Sequence, residues 1–391
     1  MAKISVKDLK LENKKVLVRV DFNVPLKEGK ITDDTRIRTS LPTINYILKQ
    51  NPYKLILISH LGRPKGKVVE SLRMEPVAKR LEELLGEKVL KLDDCVGEKV
   101  KREIDSFGGV VVLLENVRFH PEEEKGDEEF AKKLAELADI FINDAFGTAH
   151  RAHASTTGVA KFLPSGIGFL MEKEIEYLSK ALNPQKPYVV ILGGAKVSDK
   201  IGIIGNLLKK ADTILIGGAM SYTFLKAEGV EVGNSKVEEE KVDLAKKILE
   251  DAHKRKVKIV LPSDHVVVTS PDEPQTKKIV EDFIPQGFMG VDIGPKTVNR
   301  FKEELSCAKT VLWNGPLGIF ENPHYAEGTK EIALYLAELE AEVIAGGGDT
   351  ASAAKGFNVK EKLSHVSTGG GASLEFLEGK DLPALSVIPE K

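Results

Sequence analysis

The sequence predicts an α/β fold built from two sheet-forming halves. Three observations carry this reading. Short β-branched runs recur along all 391 residues, amphipathic helical segments alternate with them, and several of the runs are continuously apolar. VVVLL at 110–114 is such a run. Burial on both faces produces this pattern, and parallel sheets covered by helices provide that burial. Strand, helix and strand in alternation demand crossover connections, hence helices layered on a sheet.

In chain order, the first half carries strands at 15–20, 54–59, 88–92, 110–114 and 139–142. The second half carries them at 188–192, 213–216, 257–261, 310–313, 342–345 and 363–366. Between them lie SLRMEPVAKRLEELLG (71–86), DEEFAKKLAELA (127–138) and EEEKVDLAKKILEDAHK (238–254), each with an apolar stripe at helical spacing. The boundary falls near 165–187. There Pro164, Gly166 and Gly168 loosen the chain, 170–182 reads as one amphipathic helix, and Asn183-Pro184 stops it. The acidic run Glu122–Glu124 reads as a solvated loop before a helix. No short-period repeat or low-complexity tract interrupts the pattern.

Composition excludes several classes. Hydrophobic residues make up 42% and charged residues 30%, which separates the chain from disordered and fibrous proteins. A formal net charge of -2 argues against a protein whose task is to coat nucleic acid. The charge is uneven: residues 1–169 carry 29 Lys/Arg against 26 Asp/Glu, and the remainder 28 against 33. A small anion is therefore expected in the first half. Cys95 and Cys307 can build no disulfide framework and show no metal-ligand spacing, which favours a reducing compartment. MAKISVKDLK lacks an apolar signal core and no apolar run approaches a membrane span, so a cytoplasmic location is expected.

Ligands of open parallel sheets bind beyond the carboxyl ends of the strands, so the residues after each strand are the informative ones. In the first half these are Asp21-Phe22-Asn23, His60-Leu61-Gly62-Arg63, Glu115 to His120 and Asn143 to Arg151. Arg36 stands where the next helix begins. Arg36, Arg63, Arg118 and Arg151 thus gather at one sheet edge, and forked guanidinium donors match carboxylate and phosphate oxygens. In the second half the corresponding loops are LGGAK, IGGAM, WNGPLG, AGGGDTA and STGGGAS. Glycine lets backbone N–H groups approach a phosphate, and a helix N-terminus beyond adds a positive dipole end. Five such turns favour a nucleotide.

The commoner nucleotide signatures are missing. GGAKVSDK (193–200) has the wrong spacing for a G-x-x-x-x-G-K-[ST] loop, no G-x-G-x-x-G opens a helix after a strand, and no H-R-D triplet is present. Lys196 and Lys200 would share a face of a helix beginning near Val197, either reaching phosphates or lying as a solvated pair. His150 and His153 have i, i+3 spacing but no third ligand nearby, which argues against zinc. Asp349 suits magnesium beside bound phosphates, or a helix N-cap, or both.

RVDFNVP (19–25), SHLGRPKG (59–66), LLENVRFH (113–120), NDAFGTAHRAH (143–153), LGGAKVSDK (192–200), WNGPLGIFE (313–321), GGGDTA (346–351) and STGGGAS (367–373) together resemble phosphoglycerate kinases. The match runs from the first strand to the last twenty or so residues. The resemblance implies two Rossmann-like lobes, each a mostly parallel sheet covered by helices. Lobe 1–169 would bind 3-phosphoglycerate, 170–187 would be connecting helix and hinge, 188–377 would bind nucleotide, and the tail 378–391 would return to the first lobe. It implies reversible, magnesium-dependent phosphoryl transfer between 1,3-bisphosphoglycerate and ADP after lobe closure. Asp21, Asn23, Arg36, His60, Arg63, Arg118 and Arg151 match the residues that hold 3-phosphoglycerate. Lys196 and Lys200 match those at the transferring group and nucleotide phosphates, and Arg36 joins them in catalysis. Glu321 matches the ribose contact and Gly290 the adenine region. Gly347, Gly348, Asp349 and Thr350 match residues around the phosphates, with Asp349 on Mg2+. The expected partners are these substrates and ATP/ADP, with no nucleic acid and no membrane, on a monomer. The competing readings are an NAD-dependent dehydrogenase, which lacks its fingerprint here, and a nucleotide- or RNA-binding protein using the basic strand ends.

Overall fold

The computed structural model describes residues 3–391. The chain divides into two compact units, 1–175 with 381–391 and 176–380. The division falls inside a single helix, Phe169–Leu182.

In the first unit the strands are β1 (Lys15–Arg19), the short hairpin β2 (Leu26–Lys27) and β3 (Lys30–Ile31), β4 (Lys54–Ile58), β5 (Val89–Lys91), β6 (Val111–Leu113), β7 (Ile140–Asn143) and β8 (Ser165–Ile167). Six of them form one sheet in the order β5-β6-β4-β1-β7-β8, and every pairing in it is parallel. The register Val16↔Leu55 and Val16↔Ile140 puts β1 at the centre, where Val16, Leu17 and Val18 are fully buried. Their alternating side chains feed two cores: Val16 and Val18 pack with Ile44 and Val77 on one face, and Leu17 with Phe130 and Phe141 on the other. The continuous apolar runs have this double burial as their cause.

The second unit repeats the plan. Its strands are β9 (Tyr188–Leu192), β10 (Thr213–Ile216), β11 (Lys258–Val260), β12 (Asp264–Val268), β13 (Lys278–Glu281), β14 (Met289–Ile293), β15 (Thr310–Asn314), β16 (Glu342–Ala345) and β17 (His365–Val366). A six-stranded parallel sheet runs β11-β10-β9-β15-β16-β17, and an antiparallel β13-β12-β14 sheet is appended. All eleven expected strands are present, and both sheets are parallel and flanked by helices.

Three local expectations are corrected. The Pro/Gly stretch at 164–168 is not loosened chain: it contains edge strand β8, and a Cβ on Gly166 would stand 3.2 Å from the Ile4 carbonyl oxygen. Glu122–Glu124 is no solvated loop but the middle of a short helix, Pro121–Lys125, in which Glu123 is fully buried. The Ser155 backbone N–H and hydroxyl donate to Glu123 at 2.9 and 2.6 Å, and those bonds explain the burial of a carboxylate. Finally, the helix after GGAK is Ile201–Leu207, preceded by a 3-10 turn at Ser198–Lys200. Lys196 therefore lies before the helix and shares no helical face with Lys200.

The end of β7 also fixes the start of the Phe169–Leu182 helix. Met171 N–H donates to Asp144 at 3.2 Å, and burial pushes the Asp144 carboxyl up to about 7. Residues 381–391 pack in the first unit, where Ile4 N–H donates to Pro389 O at 3.0 Å and Ala384 N–H to Ala149 O at 3.0 Å.

Candidate active site

In the first sheet β1 and β7 are neighbours, but their onward connections run in opposite directions, β1 toward β4 and β7 toward β8. A crevice forms beyond the strand ends at such a reversal. Asp21 and Asn23 follow β1 into it. Arg36 Nη1 donates to Asp21 Oδ2, and Asn23 N–H donates to Asp21 Oδ1 at 3.2 Å. The loop after β7 closes against this pair: a Cβ on Gly147 would fall 2.7 Å from Asp21 Oδ2.

The loops after β4 and β6 are stapled together by Asn116. Its Oδ1 accepts from Leu61 N–H at 3.2 Å and Arg118 N–H at 3.1 Å, while its Nδ2 donates to Leu61 O at 2.7 Å. Asn23 Oδ1 accepts from Gly62 N–H at 2.8 Å, and Arg118 Nη1 donates to Gly62 O at 3.0 Å. Asn23, Gly62 and Arg118 are thereby locked in sequence. Arg118 is nearly buried, and its Nε lies 3.4 Å from Glu124.

His60 is buried beside Arg19, whose Nη2 stands 3.1 Å from His60 Nδ1. A guanidinium only donates, so Nδ1 accepts and the ring proton sits on Nε2. Burial, then the positive charges of Arg19, Arg118 and Arg36, holds the ring well below the usual imidazole range. His60 is a neutral donor. Arg63 and Arg151 are exposed, and Arg63 makes no ion pair among the described residues. The charge of Arg151 is felt at Arg118 and at His153.

Sequence reasoning missed the support beneath this edge. Arg19 is fully buried, donates from Nε to Ser155 Oγ at 2.8 Å, and is balanced through Ser155 by Glu123. Arg19 stood inside a recognised motif, but only its burial reveals that it orients His60.

The second unit has the same reversal between β9 and β15, whose chains continue toward β10 and toward β16. The loops after these two strands are joined backbone to backbone: Gly193 N–H donates to Asn314 O at 3.0 Å and Gly194 N–H to Pro316 O at 2.9 Å. A Cβ on Gly193 would meet Pro316 O at 2.0 Å, so glycine is required by close approach. Next to this junction opens a cavity of about 280 Å³. Gly194, Gly218, Tyr222, Lys236, Gly290, Leu317, Glu321 and Asp349 are among its lining residues. Three expected nucleotide residues, Gly290, Glu321 and Asp349, thus share one cavity, whereas Tyr222 and Lys236 were not singled out from sequence.

Lys200, Gly347, Gly348 and Thr350 are not among those lining residues. Lys200 Nζ donates to Asn314 Oδ1, Asn314 Nδ2 donates to Gly346 O at 2.8 Å, and Gly315 N–H donates to Thr350 Oγ1 at 2.8 Å. Burial lowers Lys200 to about 8, against the opposing pull of Asp349 and Asp199. Gly347, at φ 100°, caps the helix Gly348–Gly356, and Asp349 lies exposed in its first turn. The turn before Lys200 is fixed by Glu238, which accepts from Val197 N–H at 2.5 Å and Ser198 Oγ at 2.5 Å. Lys196 is exposed. Glu238 carried no sequence signal, because its role depends on a fold partner forty residues away.

Comparison with known proteins decides the family. The profile described as phosphoglycerate kinase matches residues 6–380. The chain belongs to the phosphoglycerate kinase family. The phosphoglycerate kinases of Pelotomaculum thermopropionicum and Dictyoglomus turgidum are 55% and 57% identical to it, each over 100% of both chains. Among solved structures, that of phosphoglycerate kinase from Coxiella burnetii superposes with a TM-score of 0.90 at 41% identity, covering 98% of each chain. That from Pyrococcus horikoshii OT3 gives 0.85 at 33% identity, again over 98% of each. The chain is an enzyme, a kinase of the phosphoglycerate kinase family. No helix among the described residues is long and apolar enough to cross a membrane.

Proposed function

We propose that this kinase catalyses reversible phosphoryl transfer between 1,3-bisphosphoglycerate and ADP, giving 3-phosphoglycerate and ATP. The single observation that carries the reading is the pairing of two unlike crevices at equivalent sheet positions. One is edged by Arg36, His60, Arg118 and Arg151, the other by glycine loops around a cavity that Asp349 lines.

The acceptor in the direction of 1,3-bisphosphoglycerate formation is a carboxylate, already ionised at neutral pH, so no general base is needed. What remains is alignment and neutralisation of charge on the transferred group. Asp21 orients Arg36, and His60 offers its Nε2 proton to the anion. Arg63, Arg118 and Asn23 fix the phosphate that does not react, with Arg151 adding positive charge. Lys200 and Lys196 face the transferring group and the nucleotide phosphates, together with N–H groups of Gly347, Gly348 and Thr350. Gly290 and Glu321 line the base and ribose ends.

An exposed carboxylate in a helix first turn, lining the cavity beside the glycine loops, fits Mg2+, which takes one or two carboxylates plus phosphate oxygens. Asp349 would hold it. Bound there, the ion would neutralise charge on the nucleotide phosphates. The two substrates lie in different units, so the units close around them before transfer, excluding water from the acyl phosphate. A cytoplasmic monomer that engages neither membrane nor nucleic acid completes the reading.

Ligand-induced melting tests it. MgATP with 3-phosphoglycerate raises the melting temperature, NAD leaves it unchanged, and any RNA binding is weak and collapses with salt. Stabilisation by NAD but not by MgATP would replace this reading with that of a dehydrogenase.

A further inference from the structure

We propose that Asp94, Cys95 and His120, none of which the substrate reading uses, form a binding site for a soft divalent transition metal of the zinc class. The three side chains offer one carboxylate oxygen, one sulfur and one imidazole nitrogen, all within 4.8 Å of one another. Ligand atoms around a tetrahedral ion with bonds of ~2.0–2.3 Å stand roughly 3.3–3.8 Å apart, so small side-chain rotations complete the set. Sulfur and imidazole donors select against hard cations such as magnesium. Sequence spacing concealed the group, because Cys95 follows β5 whereas His120 follows β6, and only the β5-β6 pairing makes them neighbours.

The ligands are held before any ion arrives. His120 Nε2 lies 2.7 Å from Asp94 Oδ1, and the imidazole packs 4.9 Å from the Phe130 ring. Asp94 Oδ1 also accepts from Cys95 N–H at 2.6 Å, and the Cys95 thiol donates to Glu115 O at 2.9 Å. Cys95 forms the buried floor, while Asp94 is exposed and His120 part-exposed, which leaves a fourth position open to water. Binding forms metal–sulfur, metal–nitrogen and metal–oxygen bonds. The thiol proton leaves to solvent, the Sγ–H bond to Glu115 O breaks, and the His120 Nε2–H bond to Asp94 Oδ1 gives way as the ring proton passes to Nδ1, with no change of oxidation state. A metal there would also tie down residue 120, two positions beyond Arg118.

The test uses Co2+ as probe on the full chain, with Mg2+ in excess so that Asp349 is occupied. The expected result is one Co2+ per chain and a thiolate-to-cobalt charge-transfer band in the near ultraviolet, present also in Cys307→Ser and absent in Cys95→Ser. His120→Asn alters a part-exposed side chain, so its fold is checked by circular dichroism. It should weaken Co2+ binding at least about tenfold, the lower end of what even supporting residues cost a metal site. The absence of a charge-transfer band in the wild type, its persistence in Cys95→Ser, or unchanged Co2+ affinity in folded His120→Asn would each overturn the proposal.

Discussion

Lys200 Nζ donates to Asn314 Oδ1, tying the turn after β9 to the end of β15 at the point where the strand order of the second sheet reverses. The same lysine is lowered to about 8 by burial. It is charged below that pH and neutral above it. If its charge serves the phosphoryl group, kcat/KM for nucleotide falls as pH rises through about 8. Lys200→Arg, which stays charged, removes this alkaline limb even if it lowers the plateau. A pH–rate profile of both proteins checks it, and an identical limb in the arginine variant would assign the titration elsewhere.

Arg36 and Arg63 differ in what they touch. Arg36 is held by Asp21 and, on the proposed reading, meets charge that develops during transfer, whereas Arg63 is exposed and free of ion pairs among the described residues. Arg36→Ala should lower kcat by roughly a hundred- to a thousandfold, about 2.7–4 kcal/mol, as removal of one preorganised donor does. Arg63→Ala should mainly raise KM for 3-phosphoglycerate. Steady-state kinetics that gave equal kcat losses at unchanged KM would show the division to be wrong.

Gly290 is fixed by its neighbour. A Cβ there would fall 2.0 Å from the Tyr222 hydroxyl oxygen, and both residues line the cavity. Gly290→Ala should therefore raise KM for nucleotide, and Tyr222→Ala in the same chain, which removes the hydroxyl and the ring carbon that would stand 2.3 Å away, should restore part of the loss. A double-mutant cycle measures the coupling. Strict additivity would show that the two residues do not compete for that space.

Much of this was legible because the governing forces are local. Double-faced burial writes continuous apolar runs, which is why β1, β4, β6 and β9 could be read directly. Loops at the carboxyl ends of such strands can be read off the same runs, so the strand-end positions of Asp21, His60, Arg118 and the glycine turns were visible without a structure. Glu123, Glu238 and Lys236 were not. Glu123 is buried only because Ser155 and Arg19 meet it in the fold, and Lys236 lines the cavity of the second unit from an irregular loop. The β12-β13-β14 sheet escaped notice because exposed β13 and glycine-containing β14 lack the apolar continuity of the parallel strands, although HVVV at 265–268 carried a readable signal.

On the proposed reading either substrate alone contacts one unit, so neither should strongly favour a closed state, since only differential affinity shifts a population. Small-angle scattering should show clear compaction with 3-phosphoglycerate and MgATP together, and little with one. Full compaction by nucleotide alone would place the assembled site within one unit.

ATP formation from 1,3-bisphosphoglycerate and ADP, followed with purified folded protein through a coupled assay, tests phosphoryl transfer most directly. Turnover should require both substrates and Mg2+, run in reverse from 3-phosphoglycerate and ATP, and drop by roughly a hundredfold or more in Lys200→Ala. A folded wild-type protein with no ADP-dependent turnover above background would contradict it.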